Sequence, residues 1–343
     1  MTLGRAGRGA NDPGQKGDRM RRSLAVVLVM LGVLGVGAAD GVAQPRQFLA
    51  LGTSTIGGTY YVIGGGMASI INKANPQLNI NAEVTGGAFA NMALLGQKKI
   101  QLALVTNDEI YMAWHGQGKY KSKATNARGV LGGHAIIWQM YTLKRTGIKS
   151  IADLKGKRIS LGAPGSIGNL IGEIVLGTYG LKMRRDWTPE YLGHGDGPGA
   201  LKDGKLDAVL IISSTPTSAI IDLTSSHGSD VVFLMPDRDK LEALLKEHPY
   251  WFESKVPART YKGQEQDVPN SFGASTILVA DESVDPGAVY AITKTLLEHN
   301  PDLVAVHPIG KEWVAENATR GIQGVLPLHP GAERYLKEKG LIR

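Results

Sequence analysis

Cysteine is absent from all 343 residues. Its absence excludes disulfides, thiol nucleophiles, cysteine-ligated metals and a lipid-modified N-terminal cysteine, so the fold must rest on core burial. Catalytic signatures are missing as well: no G-x-S-x-G, H-E-x-x-H or paired-carboxylate motif occurs. His115, His134 and His227 are scattered without a Ser or Glu partner at telling spacing. His194, within GHGDG, has Asp196 two residues on, but a mobile Gly-rich surface loop is a poor metal scaffold. The expectation is a chain without metal, cofactor or catalysis. Neither an arginine-rich face nor aromatic–basic interleaving is present, which argues against nucleic acid as a partner. The basic run from Gly118 to Gly129 reads as a solvated loop. No solenoid-length repeat occurs, and beyond residue 43 no segment is apolar enough to span a bilayer.

What is present begins with a leader. Met20-Arg21-Arg22 runs into LAVVLVMLGVLGVGAA, then Gly41-Val42-Ala43 with small residues where signal peptidase reads. Residues 1–43 are therefore expected to be a signal peptide cleaved after Ala43, with Met20 as an alternative start, and the mature protein to be periplasmic. This leader carries six basic and three acidic residues, so removing it lowers the net charge from +7 to +4.

From Phe48 to Gly66 the chain reads FLALGTSTIGGTYYVIGGG. An apolar run gives way to a Gly/Ser/Thr loop, then Tyr60, Ile63, Met67, Ile70 and Ile71 fall at helical spacing. Leu78, Ile80, Ala82 and Val84 alternate as a strand and end on Thr85-Gly86-Gly87. Phe89, Met92 and Leu95 mark a second helix, and Ile100, Leu102 and Leu104 another strand. Alternating strands and helices predict a largely parallel sheet covered by helices. Gly64, Gly65 and Gly66 should each weaken a helix by roughly 1 kcal/mol, so their expected use is close approach of helix to sheet.

The same unit recurs downstream. Arg158 to Leu161 is a strand, GAPGS a loop, and Ile167, Leu170, Ile171, Ile174 and Val175 a helix face. A strand from Leu206 to Ile212 ends on Ser213-Ser214-Thr215-Pro216, and ASTILVA reads as a strand returning to the first unit. Asp285-Pro286 then caps a helix whose buried face is Val289, Ile292 and Leu296. These elements predict an α/β protein of two lobes, joined by crossings near Trp138 and Ser275. Residues 44–138 and 275–343 would form lobe 1, and residues 139–274 lobe 2.

Ligands of open α/β sheets bind beyond the carboxyl ends of the strands, where both Gly/Ser/Thr loops lie. A triphosphate loop needs Lys after its glycines, whereas Gly58 is followed by Thr59 and Tyr60. Gly52, Gly57 and Gly58 also miss the dinucleotide spacing. Two readings are left: a cradle of helix-terminal amides for an anion, or a tight turn whose hydroxyls cap its own helix. Two such loops facing each other favour the cradle.

Taken together, LALGTSTIGGTYYVIGGGMASIINK, AEVTGGAFANMALLGQKKIQLALVTND, SIADLKGKRISLGAPGS, ALKDGKLDAVL, HPYW, TYKGQEQDVP and LPLHPGAERYLKEKG resemble the TAXI-type solute receptors of TRAP transporters. The resemblance runs from about Phe48 to Gly340. It implies a type II periplasmic-binding-protein fold: two mainly parallel sheets flanked by helices and joined by two crossover hinge strands. It also implies a receptor, here expected to be a monomer, that captures a small organic anion and hands it to a membrane-embedded, ion-driven TRAP permease. The alternative is an exported sensory receptor that docks on a signalling protein. By position, the resemblance assigns ligand contacts to Thr53, Ser54, Thr59 and Tyr60, to Gly86, and to Thr106 and Asn107. Gly165, Ser166 and Ile167 would clamp from the second lobe, beside Ser214 and Thr215. Ile56, the Ile-Gly-Asn after Ser166, and Ser213-Ser214-Thr215 depart from the family's usual residues, leaving the ligand's identity open.

Overall fold

Strand β1 (Gln47–Gly52) sets the frame: Leu49 and Leu51 are buried while Phe48 is 70% exposed. The computed structural model describes residues 46–117, 120 and 126–343. The expected leader, its cleavage site after Ala43 and residues 118–119 and 121–125 of the basic run lie outside the described residues.

Behind β1 come α1 (Thr59–Ala74), β2 (Leu78–Glu83), α2 (Ala88–Gly96), β3 (Leu102–Thr106) and α3 (Asn107–His115). The long β4 (Ala127–Leu143) then leads to β5 (Arg158–Ser160), α4 (Ile167–Thr178), β6 (Thr188–Glu190), α5 (Asp196–Lys202), β7 (Ala208–Ser213) and α6 (Ser218–His227). After β8 (Val231–Phe233), α7 (Arg238–Glu247) and β9 (Phe252–Val256), the chain returns through β10 (Val268–Asp281). It ends in α8 (Pro286–Glu298), α9 (Asn300–Val306) and α10 (Pro330–Glu338). The strand order is β2-β1-β3-β10-β4-β7-β5-β6, with β8 on β4 and β9 on β10. The α/β class agrees with the sequence, and β1 lies parallel to β2 and β3, and β5 parallel to β6 and β7, as expected. The pairings of β4 and β10 are all antiparallel, so one mixed sheet stands where two mainly parallel ones were expected.

The two long strands change partners midway. Residues 276–280 of β10 pair with β3, and residues 277–281 pair with the first part of β4. Farther back, residues 268–273 of β10 pair with β9, and residues 137–141 of β4 pair with β7. A register break between Ser275 and Ile277 marks the change. On one side the sheet is β2-β1-β3 with its helices, and on the other β7-β5-β6. We call these the first and second halves.

Each half buries the faces that periodicity marks. Ile63, Met67 and Ile71 of α1 are buried, as are Ile167, Ile171 and Val175 of α4. The glycine triplet of α1 divides its work. A Cβ on Gly64 would come within 2.4 Å of the Thr53 side chain at the end of β1, and one on Gly66 within 2.8 Å of Val306 in α9. Gly65 faces open space. Helix-to-sheet approach thus explains one of the three. Among the described residues, no helix is long and apolar enough to cross a membrane.

Candidate ligand-binding site

Three helix N-termini converge where the halves meet. α1 opens at Thr59 after the loop from β1, and α2 at Ala88 after the Thr85-Gly86-Gly87 turn. α4 opens after Ser166, whose Oγ accepts the Gly168 amide at 3.1 Å. Such first-turn amides have no intrahelical acceptor and carry the positive end of the helix dipole. Among the described residues, the Ala88 and Ile167 amides meet no protein acceptor. Both residues line a cavity to which the first half also contributes Ser54, Thr59, Tyr60 and Gly87, and the second Ser166, His194, Ile212 and Ser213. Ile136, at the crossing, closes the floor.

The cavity is small, with about 20 Å³ of free volume, close to the least that admits one water. Direct contacts between the halves account for this. Thr59 Oγ1 lies 2.9 Å from Ser213 Oγ and 2.5 Å from Ser214 Oγ, and the Thr59 amide donates to Ser213 Oγ at 3.3 Å. On one flank the Ala90 amide donates to Gly165 O at 3.0 Å. On the other, the Gly195 amide donates to Ile56 O at 3.1 Å, and His194 Nδ1 lies 2.9 Å from Thr55 Oγ1. Gly86 is required for this approach: a Cβ there would stand 2.1 Å from Pro164 O across the cleft.

No charged side chain lines the cavity. Its two titratable groups are both driven neutral by burial. Desolvation pushes the Tyr60 phenol well above its ordinary value, and it brings His194 down to about 4 despite a hydrogen bond with the Ile212 carbonyl. The Tyr60 hydroxyl is anchored away from the cavity, donating to Val105 O at 3.2 Å and pairing with Thr276 Oγ1 at 3.1 Å. Its ring alone forms wall.

The residues assigned from sequence divide into two groups. Ser54, Thr59, Tyr60, Ser166 and Ile167 stand on the cavity wall, and Ser214 lies directly behind it on Thr59. Thr53 turns into the sheet, its hydroxyl donating to Glu83 O at 2.7 Å. Gly86 and Gly165 face each other's loops beside the cavity. The Thr215 hydroxyl is buried without a hydrogen-bond partner among the described residues. Thr106 and Asn107 lie deeper, at the crossing. There Asn107 Nδ2 donates to Tyr250 O at 3.0 Å, and its Oδ1 accepts from the Ser275 amide at 2.9 Å. Ser54 Oγ accepts the Tyr61 amide at 3.2 Å, so the first loop caps its own helix and lines the cavity at once.

Sequence reasoning passed over Ala88, Ile136, Ile212 and Ser213, and it weighed His194 only as a metal ligand. The GHGDG segment is not a free surface loop. It leads into α5, and its glycines let the backbone meet the first loop: Gly193 packs on Thr55 and Gly195 on Ile56. The nearby Gly57 and the Gly-His-Gly spacing were the available signals.

Comparison with known proteins follows this geometry. The pattern of the NMT1-like family matches residues 51–340. Among solved structures, the periplasmic binding protein BugD is similar at 12% identity and TM-score 0.55, over 87% of this chain and 99% of that one. PhnD1 of Prochlorococcus marinus, solved with methylphosphonate, is similar at 11% identity and TM-score 0.53, over 87% of this chain and 100% of that one. A Bordetella bronchiseptica protein matches at 14% identity and TM-score 0.54, over 85% and 98%. At such identities the likeness is one of fold, the two-lobed architecture of periplasmic binding proteins.

Proposed function

The chain belongs to the NMT1-like family, and from that premise we propose that it is an extracytoplasmic solute receptor. It captures a small organic anion (a dicarboxylate, oxo-acid or acidic amino acid) and delivers it to a TRAP-type permease. The observation that carries the anion is the convergence of three helix N-termini on one cavity lined by no charged side chain. Oriented amides and dipoles favour negative charge there, and hydroxyls of Ser54, Thr59, Ser166 and Ser213 complete the shell. Nothing in the wall would discriminate for a cation.

Capture requires motion. About 20 Å³ does not hold a dicarboxylate, so the halves separate about the crossings of β4 and β10 and close again on the solute. A solute touching both halves supplies the differential affinity that closure needs. The hydroxyl that meets a base, Thr55 at 2.9 Å from His194 Nδ1, stands off the cavity wall, and the Ser166 hydroxyl on the wall accepts from its own helix. The receptor therefore releases its solute unchanged.

Thermal-shift screening of refolded protein against dicarboxylates, oxo-acids, amino acids, sugars and amines tests this reading. An acid at about 100 times its dissociation constant should stabilise by about 2.7 kcal/mol. Ser166→Ala should weaken that acid's binding by about 0.5–1.5 kcal/mol, or up to ~3 where it meets a carboxylate. Stabilisation by sugars or amines alone would refute the anion assignment, and conversion of the bound acid, seen by mass spectrometry, would refute the receptor.

A further inference from the structure

His194 is the one imidazole at the cleft, and it bridges the halves. Its Nδ1 lies 2.9 Å from Thr55 Oγ1, its own backbone amide donates to that oxygen at 3.1 Å, and the next amide, Gly195, donates to Ile56 O at 3.1 Å. A backbone hydrogen bond with Ile212 also engages the side chain. The Thr55 oxygen accepts from the His194 amide and keeps its own proton to donate, so a neutral ring can accept that proton at Nδ1.

We propose that neutral His194 is the positioning residue that latches the first loop onto the second half, so that closure of the cleft is linked to proton release. This rests on the reading that the halves open and close.

Protonation has nothing to compensate it in the closed form. The first loop sets Thr55 and Gly58 against the ring, and the cavity it lines is walled by Ser54 of that loop, Ile212 and Ser213 of β7, and Ser166 and Ile167 at the start of α4. α1 presents its amino end and the neutral Tyr60. On His194's own segment the nearest carboxylate is Asp196, which is exposed and opens α5. A second proton would sit beside the positive end of α1 with no carboxylate on the cavity wall, and Nδ1 would cease to accept from Thr55. Once the halves part, water solvates the cation and the ring returns to its ordinary value. The sign follows: the closed form binds protons more weakly, so closure is favoured above the ordinary histidine value and lost progressively as pH falls below it.

Native-state hydrogen exchange tests this without a solute, because two amides have their acceptors across the cleft: Gly195 to Ile56 O, and Ala90 to Gly165 O. Ala90 lies on the flank away from His194 and reports closure itself. Protection at both amides, corrected for intrinsic rates, should fall roughly tenfold or more from pH 7.5 to 5.0 in the parent. In His194→Asn, whose amide can still accept from Thr55 but does not titrate, it should stay within a few-fold. Protection that is flat or rises with acid in the parent, or falls equally in His194→Asn, overturns the latch. Gly86→Ala, which drives a Cβ against Pro164, separates the two ideas. If it releases both amides at pH 7.5 while pH has no effect, the latch fails and the hinge stands. If neither the wedge nor acid moves the amides, both fail.

Discussion

Two seams join the halves, and they are built from different chemistry. At the cleft, neutral polar groups meet: the Thr59 hydroxyl with those of Ser213 and Ser214, and the Thr55 hydroxyl with the His194 imidazole. At the crossing, Asp108 is buried and accepts from Trp251 Nε1 at 2.8 Å, while Asn107 ties Tyr250 to Ser275. Desolvation lifts the Asp108 carboxyl above its ordinary value, against the opposing bond from Trp251. Around that bond Trp251 packs on Phe272, which stacks on Trp138 with ring centroids 5.6 Å apart. A neutral hydroxyl pair contributes about 0.5–1.5 kcal/mol net and can be exchanged for water or a solute. A buried aromatic cluster holding a carboxyl cannot be opened so cheaply. Under the opening proposed above, the cleft seam is the one to part and the crossing seam the one to stay.

The largest effect should come from attacking the crossing. Trp251→Ala removes the Asp108 donor and the ring on Phe272, and should lower unfolding free energy by about 3–5 kcal/mol in urea melts. A loss under ~1 kcal/mol would erase the distinction between the seams.

Acid gives the next effect. His134, on β4 beside the crossing, is fully buried and accepts from Trp313 Nε1 at 3.0 Å. Burial, with a smaller contribution from His307, brings it down to about 3. A depressed histidine value means that its stability contribution is present above the unfolded value of about 6.5 and is lost as pH falls toward 3. Between pH 6.5 and 5 this should cost up to ~2 kcal/mol, visible in urea melts. His134→Gln should flatten that part of the profile, and an unchanged slope would show that the crossing does not titrate.

The smallest effect belongs to the cleft. Thr59→Val should change global unfolding by no more than ~1 kcal/mol yet raise exchange at Ala90 several-fold. If it instead weakened the fold as much as Trp251→Ala, the cleft would be part of the core.

Much of the architecture was legible because it is written in local periodicity. Asp285 does cap α8, accepting the Ala288 amide at 2.8 Å, and Val289, Ile292 and Leu296 are buried. The strand at Leu78 and the helix after Ser166 begin where alternation and capping put them. β4 was harder. It starts at Ala127, but Gly129, Gly132, Gly133 and His134 interrupt its pattern, and the sequence marked only a crossing near Trp138. Nothing local marks a strand whose partners change along its length.

The sequence by itself determined the class of fold, the two strand–loop–helix units and the neutral, hydroxyl-rich character of their loops. These follow from side-chain period, capping and composition, which act between residues close in the chain. Tertiary structure alone decided that Asn107 serves the crossing, that Thr53 turns into the sheet, and that His194 reaches Thr55 across 139 positions. Such contacts depend on how the two halves of the sheet are set against each other, and no local pattern encodes the partner of a residue that far along the chain.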